Sequence, residues 1–430
     1  MSDSDFSTAQ PRAQGRGRKL LGAGMRTVGR RMGRLIGADG TQTWLKIGED
    51  WFQTLSELRG AAMKLGQLAS QYADVLPPAL AEQLSRLQAQ AQPVSWSELE
   101  PVLLARWTQT QAGLVATIDS QPIGVASIGQ VHRAVLKDGR QVAVKIQYPG
   151  VANAIDKDVD NLRRLLKLGG MLPLAPQLLD QLLVEVRDRL ADEVDYAGEA
   201  QRLARFRQPA EQFGICVPAG IDELQAEGVL VSSFETGATL QEAAQWSQEL
   251  RDDIGGRLID WMFHQIGVLQ EVHADPHPGN YAFREDGSVV LYDFGCTRPI
   301  DARYVDHFQR MTRISLQRDW EAMHAELARI GSLAEKDQGL TPELQRLYRD
   351  CTEPVLSVLE DPCYDYADGQ IITDLRAVAR REVRQMAKFS PQVELAFVAR
   401  ALSGNYWLLR GLRVRQALLP KFEAFAAQAA

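Results

Sequence analysis

The residues HADPHPGN at positions 273–280 and DFG at positions 293–295 bring two aspartates and an asparagine close together in the sequence. Asp275 and Asn280 are five positions apart, and Asp293 follows an apolar run that is typical of a strand. With this spacing, a catalytic loop presents a carboxylate to the nucleophile and an amide oxygen to Mg²⁺, and a second aspartate bridges the metal. We therefore predict that Asp275 positions the nucleophile of a phosphoryl transfer and that Asn280 and Asp293 bind magnesium.

Two histidines in the same stretch, His273 and His277, are four positions apart and at first suggest zinc ligands. Pro276 and Pro278 exclude the helix on which such a pair would share a face, and no third ligand is obvious. We expect His273 instead to support the loop by bonding the backbone near Asp293. The four cysteines show no paired spacing, which favours a reduced, cytoplasmic setting over a disulfide framework.

Phosphoryl transfer also requires a cation beside the phosphates, and Lys145 ends the strand-like sequence VAVK. Glu199, in the helical stretch DEVDYAGEA, is the predicted partner that orients this lysine. On one continuous helix Glu193 and Glu199 point about 120° apart, so the two acids serve different partners. The alternatives are a solvated edge lysine and a solvated acidic helix face, which also includes Asp195.

A phosphate-binding loop usually contains closely spaced glycines, because glycine lets backbone N–H groups approach the phosphates. Here the corresponding segment is PIGVASIGQ, which has fewer glycines but remains rich in small residues. We predict a nucleotide cradle formed by Gly124, Val125, Ala126, Ser127, Ile128, Gly129 and Gln130 together with Lys145.

The order of elements predicts an α+β, bilobal protein kinase-like fold with an N-terminal helical extension and a mostly helical C-lobe. A β-hairpin is expected over 124–148, one helical stretch over 178–207, a helix from Asp252 to Val272, and helices throughout the chain after Ile300. The predicted segments are a flexible basic arm, the helical extension, the N-lobe and the C-lobe, over residues 1–40, 41–112, 113–235 and 236–430.

The chain has 430 residues and a net charge of -7, which excludes a general basic surface for nucleic acid. Eight basic residues and no acidic ones lie between Arg12 and Arg34, so this arm is either solvated or lies on an anionic membrane surface. A run of about 18 uncharged apolar residues, as a membrane-spanning helix requires, is not found.

Taken together, these motifs resemble the UbiB/AarF atypical kinase-like family, which is tied to ubiquinone biosynthesis and prenyl-lipid metabolism. The resemblance rests on KLGQ at 64–67, ASIGQVHRA at 126–134, VAVK, EVDYAGEA, HADPHPGN and DFG. It implies that Lys64 and Gln67 lie on a helix that covers the peptide-substrate site, and that Lys64 meets Glu193 and Asp195. Without the resemblance, that helix could simply present an exposed polar face.

The resemblance implies a protein that binds ATP, or ADP, with Mg²⁺ and acts as an ATPase or as a small-molecule or lipid phosphotransferase in isoprenoid-lipid metabolism. The alternatives are a non-catalytic, nucleotide-switched prenyl-lipid-binding protein and an ordinary protein kinase. The family commonly carries a run of alanines where this chain has Gly124-Val125-Ala126, which leaves the nucleotide preference open. The expected partners are nucleotide, a prenyl lipid or quinone precursor and an anionic membrane contacted peripherally at its inner face, without nucleic acid.

Overall fold

The computed structural model describes residues 93–126, 128–169, 176–333, 339–382, 388–390 and 393–428. Within them the chain divides into two compact units. The first contains the described residues up to Gly198 together with Gly220–Phe234, and the second contains Glu199–Ala219 and the chain from Glu235 onwards. The segment limits predicted from the sequence stay predictions.

The strands are short and mostly antiparallel. In chain order they are β1 (Val115–Ile118), β2 (Gly124–Val125), β3 (Gly129–Leu136), β4 (Gln141–Gln147), β5 (Ile215–Cys216), β6 (Val229–Ser233), β7 (Glu271–His273), β8 (Tyr281–Phe283), β9 (Val289–Leu291), β10 (Thr297–Pro299), β11 (Tyr364–Asp365) and β12 (Arg415–Gln416).

Helices make up most of the remaining described chain, in agreement with the α+β prediction. They are α1 (Trp96–Arg106), α2 (Gln109–Leu114), α3 (Val151–Gly169), α4 (Pro176–Val194), α5 (Tyr196–Glu211), α6 (Leu240–Ala243), α7 (Gln248–His264), α8 (Ala302–Gln317), α9 (Trp320–Ile330), α10 (Pro342–Glu360), α11 (Gln370–Arg381), α12 (Val393–Leu412) and α13 (Leu419–Ala426).

The first unit is built around a five-stranded sheet in the order β1-β3-β4-β6, with β2 paired to β3. Residues in a strand alternate between its two faces, and Val142, Val144 and Ile146 of β4 are fully buried on one of them. They pack with α1, whose Leu99 and Leu103 are also fully buried. The predicted hairpin is present as β3 and β4, and Lys145 occupies the opposite face of β4 from this core.

The second unit pairs β7 with β10 and forms a three-stranded sheet in the order β5-β9-β8. The chain therefore runs from β7 through the HADPHPGN loop to β8, and from β9 through DFG to β10. Buried apolar residues of α7, α8, α12 and α13 pack around Val272 of β7. The HADPHPGN and DFG motifs thus begin from strands that are fixed in the unit's core.

The second unit differs from the predicted elements in two places. The helix expected to reach Val272 ends at His264, and after one wide turn over Gln265–Leu269 the residue Gln270 adopts φ 53°. This left-handed backbone stops helical hydrogen bonding and turns the chain into β7. The region after Ile300 is also not wholly helical, because β11 and β12 form a small antiparallel pair.

No helix among the described residues is long and apolar enough to span a bilayer.

Candidate functional site

Asp275 and Asn280 lie in a short loop that is closed by its own backbone. The N–H of His277 donates to the carbonyl of Asp275 at 2.7 Å, and the N–H of Asn280 donates to the carbonyl of His277 at 2.9 Å. Pro276 and Pro278 fix two φ angles and prevent a regular helix, so the chain makes only a single 3₁₀ turn over Pro278–Asn280. The loop therefore holds both predicted residues in a defined backbone conformation.

The side chain of Asn280 turns back toward Asp275. Its Nδ2 donates to the Asp275 carbonyl oxygen at 2.9 Å and lies 3.5 Å from Oδ2 of the same residue. Because the donor end of the amide is engaged in this way, the amide oxygen is the end that can bind a cation. This orientation fits the predicted role of Asn280 as a magnesium ligand.

Asp293 is held through both its side chain and its backbone. Its Oδ1 accepts from the backbone N–H of Gly295 at 2.8 Å, and Nε2 of the buried His273 lies 2.6 Å from its backbone carbonyl. The second bond confirms the expectation that His273 supports the loop near Asp293. The other histidine of the loop, His277, accepts the Gly279 N–H on Nδ1 at 3.1 Å.

Asp275 interacts with a phenol and with a guanidinium. Burial and the Asp275 carboxylate raise the pKa of the Tyr281 phenol above its ordinary value, so this tyrosine stays neutral beside the loop. Nη2 of Arg400 lies 3.5 Å from Oδ1 of Asp275. The sequence gives no local signal for this arginine, because it is more than a hundred residues away on α12.

Helix α5 carries Glu199 and supports the DFG backbone. Arg202 donates through Nε to the carbonyl of Phe294 at 2.7 Å and through Nη2 to that of Gly295 at 3.5 Å. The rings of Phe206 and Phe294 lie 5.1 Å apart. Glu199 is almost completely buried, with 1% of its surface exposed. The sequence motifs did not point to Arg202. Glu199, three residues earlier, lies on the same face of α5.

Replacing Arg202 with glutamine is expected to lower the free energy of unfolding by about 1.5–3 kcal/mol, because two backbone carbonyls lose a charged donor. Urea denaturation followed by tryptophan fluorescence measures the change. Arg380 is an exposed arginine on α11, so Arg380→Gln provides a control that removes the same charge. Equal stability of the Arg202→Gln and Arg380→Gln proteins would contradict the role of Arg202 in supporting the DFG backbone.

The prediction that one continuous helix carries Glu193, Asp195 and Glu199 is wrong. Helix α4 ends at Val194 and α5 begins at Tyr196. Asp195 breaks the helix because its Oδ1 accepts the N–H of Gly198 at 2.9 Å, which caps the new helix. The angle of about 120° calculated for one continuous helix therefore does not apply. Glu193 belongs to the first unit and Glu199 to the second.

Lys145 lies in the centre of the first unit's sheet. It is paired with Val131 on β3 and Leu230 on β6, and its Nζ lies 5.1 Å from the centre of the Tyr196 ring. A cation at this distance from an aromatic face is stabilised by the ring electrons. The predicted pairing of Lys145 with Glu199 joins the two units and stays a prediction.

The predicted cradle is a tight hairpin between β2 and β3. Gly124 and Val125 form β2, and the N–H of Ala126 donates to the carbonyl of Gly129 at 2.8 Å. Ile128 is buried, and its carbonyl accepts the N–H of Tyr148 at 2.8 Å. The hairpin therefore fixes these backbone positions.

The side chain of Gln130 forms hydrogen bonds within the first unit and does not serve as a nucleotide contact. It is fully buried, accepts the N–H of Val94 at 3.0 Å and donates to the Val94 carbonyl at 3.2 Å. Its Nε2 also lies 2.8 Å from Nε2 of His132, whose pKa is lowered by burial. Gln130 thus attaches the chain before α1 to the sheet, and only its backbone is left for a cradle.

Gly129 is required by close approach. A Cβ at this position would lie 2.5 Å from the carbonyl oxygen of Ile146 and 2.7 Å from the hydroxyl of Tyr196. We expect Gly129→Ala to lower the free energy of unfolding by about 1–3 kcal/mol, because a backbone atom cannot move aside cheaply. Gly113→Ala, with nothing within 4 Å of its Cβ, is the control and is expected to be neutral or stabilising. Urea denaturation measures the stability of both variants. A Gly129→Ala protein with the same unfolding midpoint as wild type would contradict the close approach at Gly129.

The donor groups of the second unit fit magnesium. Asn280 offers an amide oxygen and Asp293 a carboxylate, which are hard oxygen ligands of the type that Mg²⁺ prefers. Over the described parts of the chain, no group of three histidine, cysteine, aspartate or glutamate side chains could hold a metal. A metal bound by Asn280 and Asp293 would therefore need phosphate oxygens or water to complete its coordination.

Three predicted site residues lie outside the described residues. They are Lys64, Gln67 and Ser127.

Comparison with known proteins identifies the family of the chain. A model of the ABC1 atypical kinase-like domain matches residues 86–327, more than half of the sequence and a range that includes every motif named above except KLGQ at 64–67. The chain is 30% identical over 371 residues to the atypical kinase coq-8, mitochondrial, of Caenorhabditis elegans, covering 84% of this chain and 48% of that protein. It is also 30% identical over 334 residues to the atypical kinase COQ8, mitochondrial, of Saccharomyces cerevisiae, covering 75% of this chain and 64% of that protein.

The chain thus spans about half the length of the C. elegans relative. Among solved structures, a complex of Rv3197 with erythromycin from Mycobacterium tuberculosis matches with a TM-score of 0.59 and 24% identity. The match covers 87% of this chain and 94% of that one, and it shows a shared fold. The resemblance inferred from the motifs and the kinase-like fold are both confirmed. The chain belongs to the ABC1 atypical kinase-like family.

Proposed function

We propose that this chain binds ATP with Mg²⁺ and transfers the γ-phosphoryl group to water or to the hydroxyl of a small molecule or lipid. The observation that carries the proposal is the arrangement of Asp275, Asn280 and Asp293 in the second unit. The Asn280 amide is anchored to the loop with its oxygen available, and the Asp293 carboxylate is fixed by Gly295. Phosphoryl transfer depends mainly on such positioning of charge.

Each residue has a proposed role. Asn280 and Asp293 would hold Mg²⁺, which supplies positive charge against the phosphate oxygens when it is bound. Asp275 orients the attacking hydroxyl or water and accepts its proton. In the first unit, Lys145 contacts the α- and β-phosphates, with Glu199 as the acid that orients it.

The backbone of the hairpin from Gly124 to Gln130 is the proposed cradle for the phosphates. The side chain of Gln130 takes no part, because it binds Val94. Lys64, Gln67, Glu193 and Asp195 are proposed to restrict access of peptide substrates, as the family resemblance implies.

The proposed biological setting is ubiquinone or other isoprenoid-lipid metabolism at a membrane surface. Support comes from the family membership and from relatives named as atypical mitochondrial kinases. The basic segment Arg12–Arg34 supplies charge that attracts anionic lipid headgroups.

The nucleotide part of the proposal is tested by thermal unfolding of the full chain. ATP with MgCl₂ is expected to raise the Tm, because a ligand that binds only the folded state stabilises it. ATP with EDTA is expected to raise the Tm much less. An identical Tm with and without Mg-ATP at millimolar concentration would overturn the proposal.

The fate of the γ-phosphoryl group distinguishes the three candidate activities. Release of phosphate, stimulated by anionic liposomes or a quinone-precursor mimic, is the expected result for an ATPase, and transfer of the γ-phosphoryl group from ATP to the added mimic is the expected result for a lipid phosphotransferase. Nucleotide binding without turnover under all conditions would favour a nucleotide-switched lipid-binding protein. Labelling of a peptide library would favour an ordinary protein kinase.

The metabolic role is tested in the organism that carries this gene. Strains with Lys64→Ala or Asp293→Asn are expected to accumulate quinone intermediates relative to wild type. An unchanged quinone profile in both strains would place the protein in another branch of lipid metabolism.

A further inference from the structure

Helix α12 approaches the HADPHPGN loop at two successive residues. Arg400 lies 3.5 Å from the Asp275 carboxylate, and 18% and 32% of the two side chains are exposed. One helical turn further on, Gly404 faces the same loop. A Cβ on Gly404 would lie 1.9 Å from Cγ and 2.9 Å from Cβ of Pro276, so the helix backbone is in direct contact with the proline ring.

The helix is itself anchored next to the strand that leads into the loop. Val398 and Ala401 are fully buried and belong to the same apolar cluster as Val272 of β7. The buried Asn405 donates to the carbonyl of Leu258 on α7 at 3.4 Å. Helix α12 therefore cannot move away from the loop without disrupting the core of the second unit.

Helix α12 lies beyond residue 327, where the match to the family domain ends. The family motifs thus provide the loop, and a later segment of this chain packs against it. A guanidinium beside a partly buried carboxylate attracts it and restricts its rotation. A glycine in contact with a rigid proline ring determines how closely the helix and the loop approach each other.

We propose that Arg400 and Gly404 are positioning residues of the site, through which α12 sets the orientation of Asp275. This inference rests on the proposed function, in which Asp275 orients the nucleophile. Arg400 acts on the carboxylate and Gly404 on the loop backbone. Neither residue is placed against the nucleotide or the nucleophile, and both act through Asp275.

Hydrogen–deuterium exchange of the full-length protein tests the positioning without any reliance on turnover. Arg400→Gln and Gly404→Ala are both expected to increase exchange in peptides that cover 274–280. Exchange in β8 and β9 of the same unit is expected to stay at the wild-type level, which shows that the variants are folded. Exchange of 274–280 at the wild-type rate in both variants would overturn the proposal.

Kinetics provide the readout that a purely structural role would not affect. Arg400→Gln is expected to lower kcat for phosphate release by about 100-fold with an unchanged KM for Mg-ATP, because a misplaced catalytic group slows chemistry more than binding. Arg400→Lys keeps the positive charge and is expected to recover at least part of this loss. Arg400→Lys and Arg400→Gln with equal kcat would contradict a role for the charge.

Matched controls isolate the face of α12 that meets the loop. Ser403→Ala changes an exposed residue next to Gly404, and Arg380→Gln removes an exposed arginine from α11. Both are expected to retain wild-type exchange and turnover. If wild type itself shows no turnover, the proposed function fails, while the exchange measurement still decides whether α12 positions the loop.

Discussion

Asp293→Asn is expected to abolish the Mg-ATP-dependent rise in Tm and to lower phosphate release by about 100-fold or more, as loss of a charge-stabilising group does in other sites. The substitution removes the negative charge but keeps an oxygen that can still accept the Gly295 N–H. The bond from His273 goes to the backbone carbonyl and is also kept. The variant therefore tests the metal-binding charge with little change to the loop.

Glu285→Gln is the matched control for this experiment. Glu285 is an exposed acid in the turn between β8 and β9, and its replacement changes the net charge by the same amount. The control is expected to keep the wild-type response to Mg-ATP. A wild-type Tm response in Asp293→Asn would remove Asp293 from the metal site.

Asp275→Asn is expected to separate chemistry from binding. Loss of the proton acceptor should lower turnover by about 10²–10⁴-fold, the usual contribution of a general base. Mg-ATP binding should persist, because Asn280 is anchored mainly to the backbone carbonyl of Asp275, which the substitution leaves in place. Turnover is measured by phosphate release and binding by isothermal titration calorimetry.

The two aspartate variants are expected to differ in nucleotide binding. Asp275→Asn should bind nucleotide without turning it over, whereas Asp293→Asn should do neither. Phosphate release by Asp275→Asn at the wild-type rate would exclude Asp275 as the residue that activates the nucleophile. Loss of binding in both variants would assign Asp275 to the metal site instead.

The local elements of the first unit were predictable because they follow from periodicity. Alternating apolar residues in β4 predicted the hairpin, and Val142, Val144 and Ile146 are indeed the buried set. Gly139, a residue type that favours turns, adopts φ 89° between β3 and β4. Both signals depend only on neighbours in the sequence.

Element ends were harder to predict, because single side chains decide them. Asp195 lies within a helical pattern, yet its carboxylate caps the next helix and ends the previous one. Gln270 takes a left-handed conformation that glycine or asparagine would normally signal. In the first case a capping side chain decides the boundary, and in the second the surrounding fold overrides the local preference.

Contacts between distant parts of the chain could not be predicted from motifs. A bond from His273 to the backbone near Asp293 was expected and is present. The contacts of Arg202 with Phe294 and of Arg400 with Asp275 join residues from different elements. No spacing rule connects such residues, since only the folded chain brings them together.

Electron paramagnetic resonance of Mn²⁺, which takes the same oxygen ligands as Mg²⁺, tests most directly whether Asn280 and Asp293 form a nucleotide-dependent metal site. Addition of wild-type protein to Mn²⁺ with a non-hydrolysable ATP analogue is expected to convert the signal of the free Mn²⁺–nucleotide complex into that of a protein-bound complex. The Asn280→Ala, Asp293→Asn double variant is expected to leave Mn²⁺ and the analogue unbound by protein. Binding of the Mn²⁺–nucleotide complex by the double variant as tightly as by wild type would contradict the account.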